Sequence, residues 1–206
     1  MLRFFLFRDK KIILFLNTQP AFMLVCNFSP FPVLQNDRIL LREILDTDVD
    51  AMFVLRSDNE AMKYIDRPRA KTIADAQEQV NKIKTGLITN DSIAWAITLK
   101  GHDEMIGNIG YWNMDKANYR SELGYMLQPK QHRKGIMNEA IGLVIDYGFK
   151  KLKLHSICAN INPANEASKK ILEKNGFVKE AYFRENYFYD GRFLDSLIYS
   201  LLTPLR

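Results

Sequence analysis

Apolar and polar positions change period several times along this chain, and each change marks an element. Arg38–Ile44 (RILLREI) is a short apolar-rich run that reads as a strand. Asp46-Thr47-Asp48 then offers capping side chains to a helix carrying Val49, Met52, Phe53 and Leu55. A short second turn, DNEAMKYI, stops at RPR. From Thr72 the period is helical, with Ile73, Ala76, Val80, Ile83 and Leu87 on one face. Ser92–Leu99 (SIAWAITL) and Met105–Asn113 read as strands joined by the turn KGHDE, and Arg120–Leu127 (RSELGYML) as a strand closed by Pro129. The pattern returns to helix over Ile136–Leu152, to strand over His155–Ile161 and to helix over Pro163–Asn175. Phe177 starts another strand, and Asp190-Gly191 is a hairpin turn before the last one. Without repeats, low-complexity runs or long linkers, this is one mixed α/β domain.

The helix from Ile136 is apolar on most sides and confines Glu139, Asp146 and Lys150 to a narrow stripe, so it lies buried against a sheet. The residues before it, QHRKG, crowd basic side chains onto a loop. A helix N-terminus carries free N–H groups and the positive end of the helix dipole. Gly135 lets a ligand approach the backbone, and Arg133 and Lys134 add charge, so the place suits a phosphate group. A solvated basic loop with a capping glycine accounts for the same residues, and spacing alone leaves both readings open. Walker spacing is missing, and GNIG at 107–110 lies within a strand rather than opening a helix.

A second constellation follows in INPANEASKKILEKNGF (161–177). Asn162 and Pro163 read as cap and first helical residue, and Asn175-Gly176 as a left-handed stop. Ser168 shares a face with Ile171, Leu172 and Asn175, and a hydroxyl on an inward face needs a partner from the fold or from a ligand. Capping accounts for Asn165 as well as ligand binding does.

Composition bounds the rest. The 206 residues suffice for one well-packed domain, and a net charge of +5 is a mild preference for anionic partners rather than a nucleic-acid binder's clustered excess. Cys26 and Cys158 have no metal-type spacing and read as buried thiols in a reducing cytoplasm. The first 27 residues, beginning MLRFFLFRDKKIILFLNTQP, are aromatic and basic, and no window approaches the ~20 apolar residues that span a bilayer. No small-x-small cleavage pattern follows Ile12–Leu16. Residues 1–27 therefore read as an appendage to a domain over 28–206: a loose tail, an added strand, or an upstream start with Met23 as the true one.

SELGYMLQPKQHRKGIMNEAI followed by NPANEASKKILEKNGF resembles the acetyl-CoA-binding core of the GNAT N-acetyltransferase superfamily, in detail its RimJ/RimL branch, which acetylates N-terminal amines of ribosomal proteins. The resemblance runs from about Val33 to Leu202 in element order. It implies a central twisted, mostly antiparallel sheet of about seven strands flanked by about four helices. It implies acetyl-CoA as co-substrate without a metal, and an acceptor that is a protein N-terminus or a small amine. It further implies a cytoplasmic protein without membrane or direct nucleic-acid contact, for which a homodimer is compatible. Carried over by residue, Tyr125, Met126 and Leu127 lend backbone groups to the pantetheine arm, His132, Arg133, Lys134, Gly135, Ile136 and Met137 cradle the pyrophosphate, and Asn165 contacts the pantetheine amides. His132 and Met137 depart from the family's usual residues, which leaves the binding to backbone N–H groups. Leu172 stands where many relatives carry a tyrosine that protonates the leaving thiolate, and Ser168, one turn back, is the nearest replacement.

Direct acetyl transfer needs a neutral amine, a polarised thioester carbonyl and a stabilised thiolate, hence a base and oxyanion donors rather than a nucleophile. Glu122 shares strand parity with Gly124 and Met126 and is the candidate base, acting through a water. It reads equally as an ordinary charged strand residue. Freeing an α-amine at pH 7 costs about 1.4 kcal/mol, against roughly 4.6 for a lysine, so a weakly assisted site suits the α-amine. The segment DNEAMKYIDRPR and the hairpin RENYFYDGRF should supply acceptor contacts, with Tyr182, Phe183, Tyr187, Phe188 and Tyr189 as walls and Glu185 or Asp190 for an ammonium. Alternatives are acetylation of a polyamine, amino acid or drug, a non-catalytic acyl-CoA-binding module, and RNA binding through Lys130–Lys134 and Lys150–Lys153.

Overall fold

The structure, a computed structural model, describes residues 23–204. Its elements run β1 (Leu34–Gln35), β2 (Ile39–Glu43), α1 (Val49–Ser57), α2 (Asn59–Met62), α3 (Ile73–Ile88), β3 (Ile93–Leu99), β4 (Gly107–Asp115), β5 (Arg120–Leu127), α4 (Ile136–Lys150), β6 (Ser156–Ile161), α5 (Glu166–Lys174), β7 (Val178–Tyr189) and β8 (Arg192–Leu202). The strands form one sheet in the order β1-β2-β3-β4-β5-β6-β8-β7. Every neighbouring pair is antiparallel except β5 with β6. The mixed α/β, mostly antiparallel expectation holds. Among the described residues there are eight strands rather than about seven and five helices rather than about four, the additions being two-residue β1 and four-residue α2.

The helices cover both faces. Ile93, Trp95 and Ile97 of β3 point into a core with α4, Leu172 of α5 and Phe177. Ala94 and Ala96 point the other way, against Met52 of α1 and Ala76, Val80 and Ile83 of α3. A strand buried on both faces has no polar side, which is why β3 shows almost no alternation. α3 starts after Thr72 as expected, and a capping box fixes it: Thr72 Oγ1 accepts the Asp75 N–H, and the Asp75 carboxylate accepts the Thr72 N–H at 2.9 Å.

α5 begins at Glu166, three residues after the expected Pro163, because Asn162 and Asn165 divide the capping work. Asn162 Oδ1 accepts from Ala164 N–H and closes a turn, and Asn165 Oδ1 accepts from Ser168 N–H at 3.0 Å and starts the helix. Of the appendage drawn over 1–27, residues 1–22 lie outside the described residues. Leu24 and Phe28 pack into the α4-side core, and the Leu24 N–H donates to Lys116 O at 2.9 Å. Cys26 and Cys158 are free and half-buried rather than buried, and desolvation raises both thiols above their ordinary pKa.

α4 is locked to the sheet by Tyr111 of β4, fully buried, whose hydroxyl donates to Val144 O at 2.8 Å. The opposing helix residue is Gly148, where a Cβ would lie 2.2 Å from that hydroxyl oxygen. Gly148→Ala should therefore destabilise by roughly 1–3 kcal/mol through overpacking, whereas Tyr111→Phe should cost about 1 kcal/mol for one hydrogen bond. Chemical denaturation of both variants measures this; an unchanged midpoint for Gly148→Ala would contradict the packing described.

Candidate active site

The site is made by two strands that part. β5 keeps its antiparallel ladder with β4 from Trp112↔Glu122 to Gly107↔Leu127. Its parallel ladder with β6 covers only Arg120–Glu122 against Ser156–Cys158. Beyond Glu122, β6 stays with β8, as far as Ile161↔Leu197. One edge of β5 from Leu123 to Leu127 thus faces a gap, and its amide and carbonyl groups there are available to a ligand.

A cleft of about 760 Å³ occupies the gap. Glu122, Leu123, Gly124, Tyr125 and Met126 of β5 line one side, and Asn160, Ile161, Asn162, Asn165 and Ser168 the other. Glu122, Tyr125, Met126, Asn165 and Ser168, nominated from the sequence, are therefore brought to one place. Glu122 is half-buried, and Asn113 Nδ2 donates to its Oε2 at 3.0 Å. Ser168 is buried at the start of α5. Tyr125 is half-buried with its hydroxyl oxygen sealed from solvent, and burial pushes its phenol up to about 12, opposed by the neighbouring Ser168 hydroxyl.

Leu127 and residues 132–137 do not line the cleft but continue from the open end of β5. His132 Nε2 is 3.0 Å from Leu127 O, so the imidazole tethers the loop to the strand end. Arg133, at φ +61, and Gly135, at φ +80, turn the loop twice through left-handed backbone. A Cβ on Gly135 would approach nothing nearer than Arg38 Nη1 at 4.0 Å, so the space beside this glycine is open. His132, Arg133, Lys134 and Gly135 are exposed, while Ile136 and Met137 are buried and offer only their backbone. The first α4 bond is Glu139 N–H to Gly135 O, so the N–H groups at the helix opening have no intrahelical acceptor.

Arg38 and Asn36, absent from the sequence reasoning, complete this end. Glu139 in the first turn of α4 is held by Arg38 Nη1 at 2.7 Å and by Asn36 Nδ2 at 2.9 Å, while Arg38 Nη2 donates to Lys134 O. The ion pair balances the carboxylate nearest the helix opening, and Arg38, Arg133 and Lys134 form a cationic rim. No local signal predicts this, because the partners are about a hundred residues apart.

The cleft is also lined by Tyr64, Ile65, Asp66 and Arg67, from the segment expected to meet the acceptor, and by Arg56 and Tyr187. The Tyr187 hydroxyl donates to Asp66 Oδ2, joining the hairpin to the loop after α2. Tyr187 is the one hairpin aromatic of the expected set that reaches the cleft. Tyr182, Phe183 and Phe188 are exposed on the outer strand, where Phe188 packs edge-on against Phe193. Glu185 and Asp190 sit at left-handed positions away from the cleft, where Glu185 lies in an irregular stretch and Asp190 in the turn. Among the described residues no group of three or more His, Cys, Asp and Glu could hold a metal ion, and no helix is long and apolar enough to cross a membrane.

The site thus combines helix-opening amides without intrahelical acceptors beside a cationic rim, an unpaired strand edge, and a carboxylate and a serine hydroxyl lining one cleft. Residues 38–178 match the Acetyltransferase (GNAT) domain. The uncharacterized N-acetyltransferase YoaA of Bacillus subtilis is 33% identical over 174 residues, covering 84% of this chain and 98% of that protein. The [ribosomal protein uS5]-alanine N-acetyltransferase of Escherichia coli is 33% identical over 102 residues, 49% of this chain and 53% of that protein. A GNAT-family acetyltransferase structure from Bacillus anthracis superposes with a TM-score of 0.74 at 28% identity, covering 83% of this chain and 98% of that one. With the family's domain matched over more than half its length, the chain belongs to the GNAT acetyltransferases and is an N-acetyltransferase.

Proposed function

We propose that this N-acetyltransferase moves the acetyl group of acetyl-CoA directly onto a protein N-terminal α-amine of the kind ribosomal proteins present. The observation that carries the reading is the parting of β5 from β6 at Glu122, which puts strand amides, a carboxylate and a serine hydroxyl on one cleft. The amides at Gly135–Met137, which have no intrahelical acceptor, with Arg38, Arg133 and Lys134 around them, suit the diphosphate. The open edge at 123–127 suits the pantetheine amides, with Asn165 opposite. Asn165 Oδ1 is engaged by its capping bond, so its amide N–H groups are the part available to a ligand.

In this reading the acceptor nitrogen attacks the thioester carbonyl carbon, and the carbon–sulfur bond breaks with its electron pair going to sulfur. Amide hydrogens of β5 hold the carbonyl oxygen as it gains charge. Glu122, steadied by Asn113, takes the amine's proton through a water. Ser168 donates a hydrogen bond to the departing sulfur. The α-amine is favoured because the cleft shows one carboxylate at the β5–β6 junction and no histidine, modest help that suits an amine already partly neutral at pH 7. The uS5-alanine enzyme among the relatives supports the same acceptor class.

Three outcomes test this. Glu122→Gln should lower kcat/KM by about 10²-fold or more while CoA affinity by calorimetry stays within twofold. For a peptide acceptor, kcat/KM should rise with pH and level off near the α-amine value of ~8, because only the neutral amine attacks; a rise continuing towards ~10 would indicate lysine or polyamine instead. Gly135→Asp should weaken CoA binding at least about tenfold, since a carboxylate repels the diphosphate, while the helix dipole and a tolerated left-handed Asp keep the melting temperature close to wild type. Turnover restricted to small amines in an acceptor screen would defeat the N-terminal reading.

A further inference from the structure

Among the described residues, two buried side-chain polar atoms complete no hydrogen bond: Gln128 Oε1 and the Tyr125 hydroxyl. Tyr125 is the one of these that lines the cleft. An orphaned buried hydroxyl costs about 1–3 kcal/mol, which phenylalanine at the same position would not incur. Its surroundings suggest what it does.

Tyr125 alternates with Gly124 and Met126 along β5, so its ring turns to the face of Leu123 and Leu127 and packs against the α4-side core. There it meets Ser168 of α5. The serine is close enough to act on the phenol's ionisation, yet the two hydroxyls do not complete a bond as they stand. Ser168's backbone is fixed, because its N–H donates to Asn165 Oδ1 at 3.0 Å as part of the α5 cap. What remains free is the rotation of its side chain. A serine hydroxyl both donates and accepts, so on its own it does not commit to either role.

We propose that Tyr125 is a positioning residue for Ser168: once the coenzyme is bound, its phenol donates to Ser168 Oγ and so commits the serine's own proton to the cleft, towards the sulfur of the coenzyme. The inference rests on the acetyl-CoA reading of the cleft and adds the direction of the hydroxyl chain. Burial holds the Tyr125 phenol near 12, so it stays protonated at working pH and is a donor throughout. A proton transfer from such a phenol to a thiolate of ordinary pKa ~8.5 runs uphill, so the chain works by hydrogen bonding and no proton changes owner in it. With Leu172 fully buried and unable to donate, the pair is the cleft's means of meeting negative charge on sulfur from the α5 side.

The test compares CoA with desulfo-CoA, which lacks the sulfur. Both are titrated calorimetrically into wild type, Tyr125→Phe, Ser168→Ala and the double variant, about one pH unit above the thiol's ordinary value of ~8.5. Wild type should prefer CoA by about ten- to a hundredfold, the increment of one hydrogen bond to a charged group. Each single variant should lose most of that preference while binding desulfo-CoA as wild type does. The double variant should lose no more than either single one, because both act on the same contact. In steady state Tyr125→Phe should lower kcat with the KM for acetyl-CoA unchanged. Its melting temperature without ligand should equal or exceed wild type, since an unpaired hydroxyl has been removed. A Tyr125→Phe variant that keeps the CoA preference, weakens both ligands alike, or adds its loss to that of Ser168→Ala overturns this inference alone. A wild type that binds neither ligand overturns the acetyl-CoA reading and this inference with it.

Discussion

β5 cannot follow both of its neighbours, and the site exists because of that constraint. With β4 it forms an antiparallel ladder that holds to Leu127, while β6 forms its own antiparallel ladder with β8 to Ile161. The seam between these half-sheets is the parallel stretch Arg120–Glu122 with Ser156–Cys158, and parallel pairing is the weaker kind per residue. Where the half-sheets twist apart, the seam opens rather than either ladder. Backbone groups that a sheet would ordinarily satisfy internally are left for a ligand, and the carboxylate at the last paired residue, Glu122, stands at the vertex.

The same parting explains why α4 has two characters. Its body fills the space under the sheet, with Ile136, Ala140, Ile141 and Val144 buried against Trp95 and Tyr111. Its first turn lies beyond the open end of β5, where its leading N–H groups have no intrahelical acceptor. A buried helix is thereby made to show its amides at one end, and the rim Arg38–Glu139 ion pair keeps a first-turn carboxylate from acting as an internal competitor for that positive end. The tether from His132 to Leu127 O sets the distance between the open strand and the open helix. In the proposed function, a ligand with an anionic head and an amide-rich arm spans the two openings together.

The longer helices, strands β3 to β6, the helix start at Thr72 and the 190–191 turn were legible in the chain, because each depends on neighbours within a few residues. The basic-Gly loop and the Asn-x-x-Ser segment were legible as motifs for the same reason. Less legible was the start of α5, where two asparagines competed for the cap and only packing chose Asn165. The acceptor end was misjudged in its details. An outward-facing edge strand takes most of the hairpin's aromatics away from the cleft, leaving Tyr187 to meet Asp66, a contact between residues more than a hundred positions apart.

What the sequence by itself determined is the set of local elements and the chemistry each can offer: a glycine opening a helix, a glutamate and a tyrosine on opposite faces of one strand, a serine on the inward face of another helix. Which of these meet was decided only by tertiary structure. Strand parity says that Glu122 and Tyr125 point apart, yet the parting of β5 from β6 lets both border one cleft, the carboxylate on its surface and the phenol behind Ser168. The physical reason is that side-chain direction is a property of a few residues of backbone, whereas a gap between strands is a property of two ladders competing across the whole sheet.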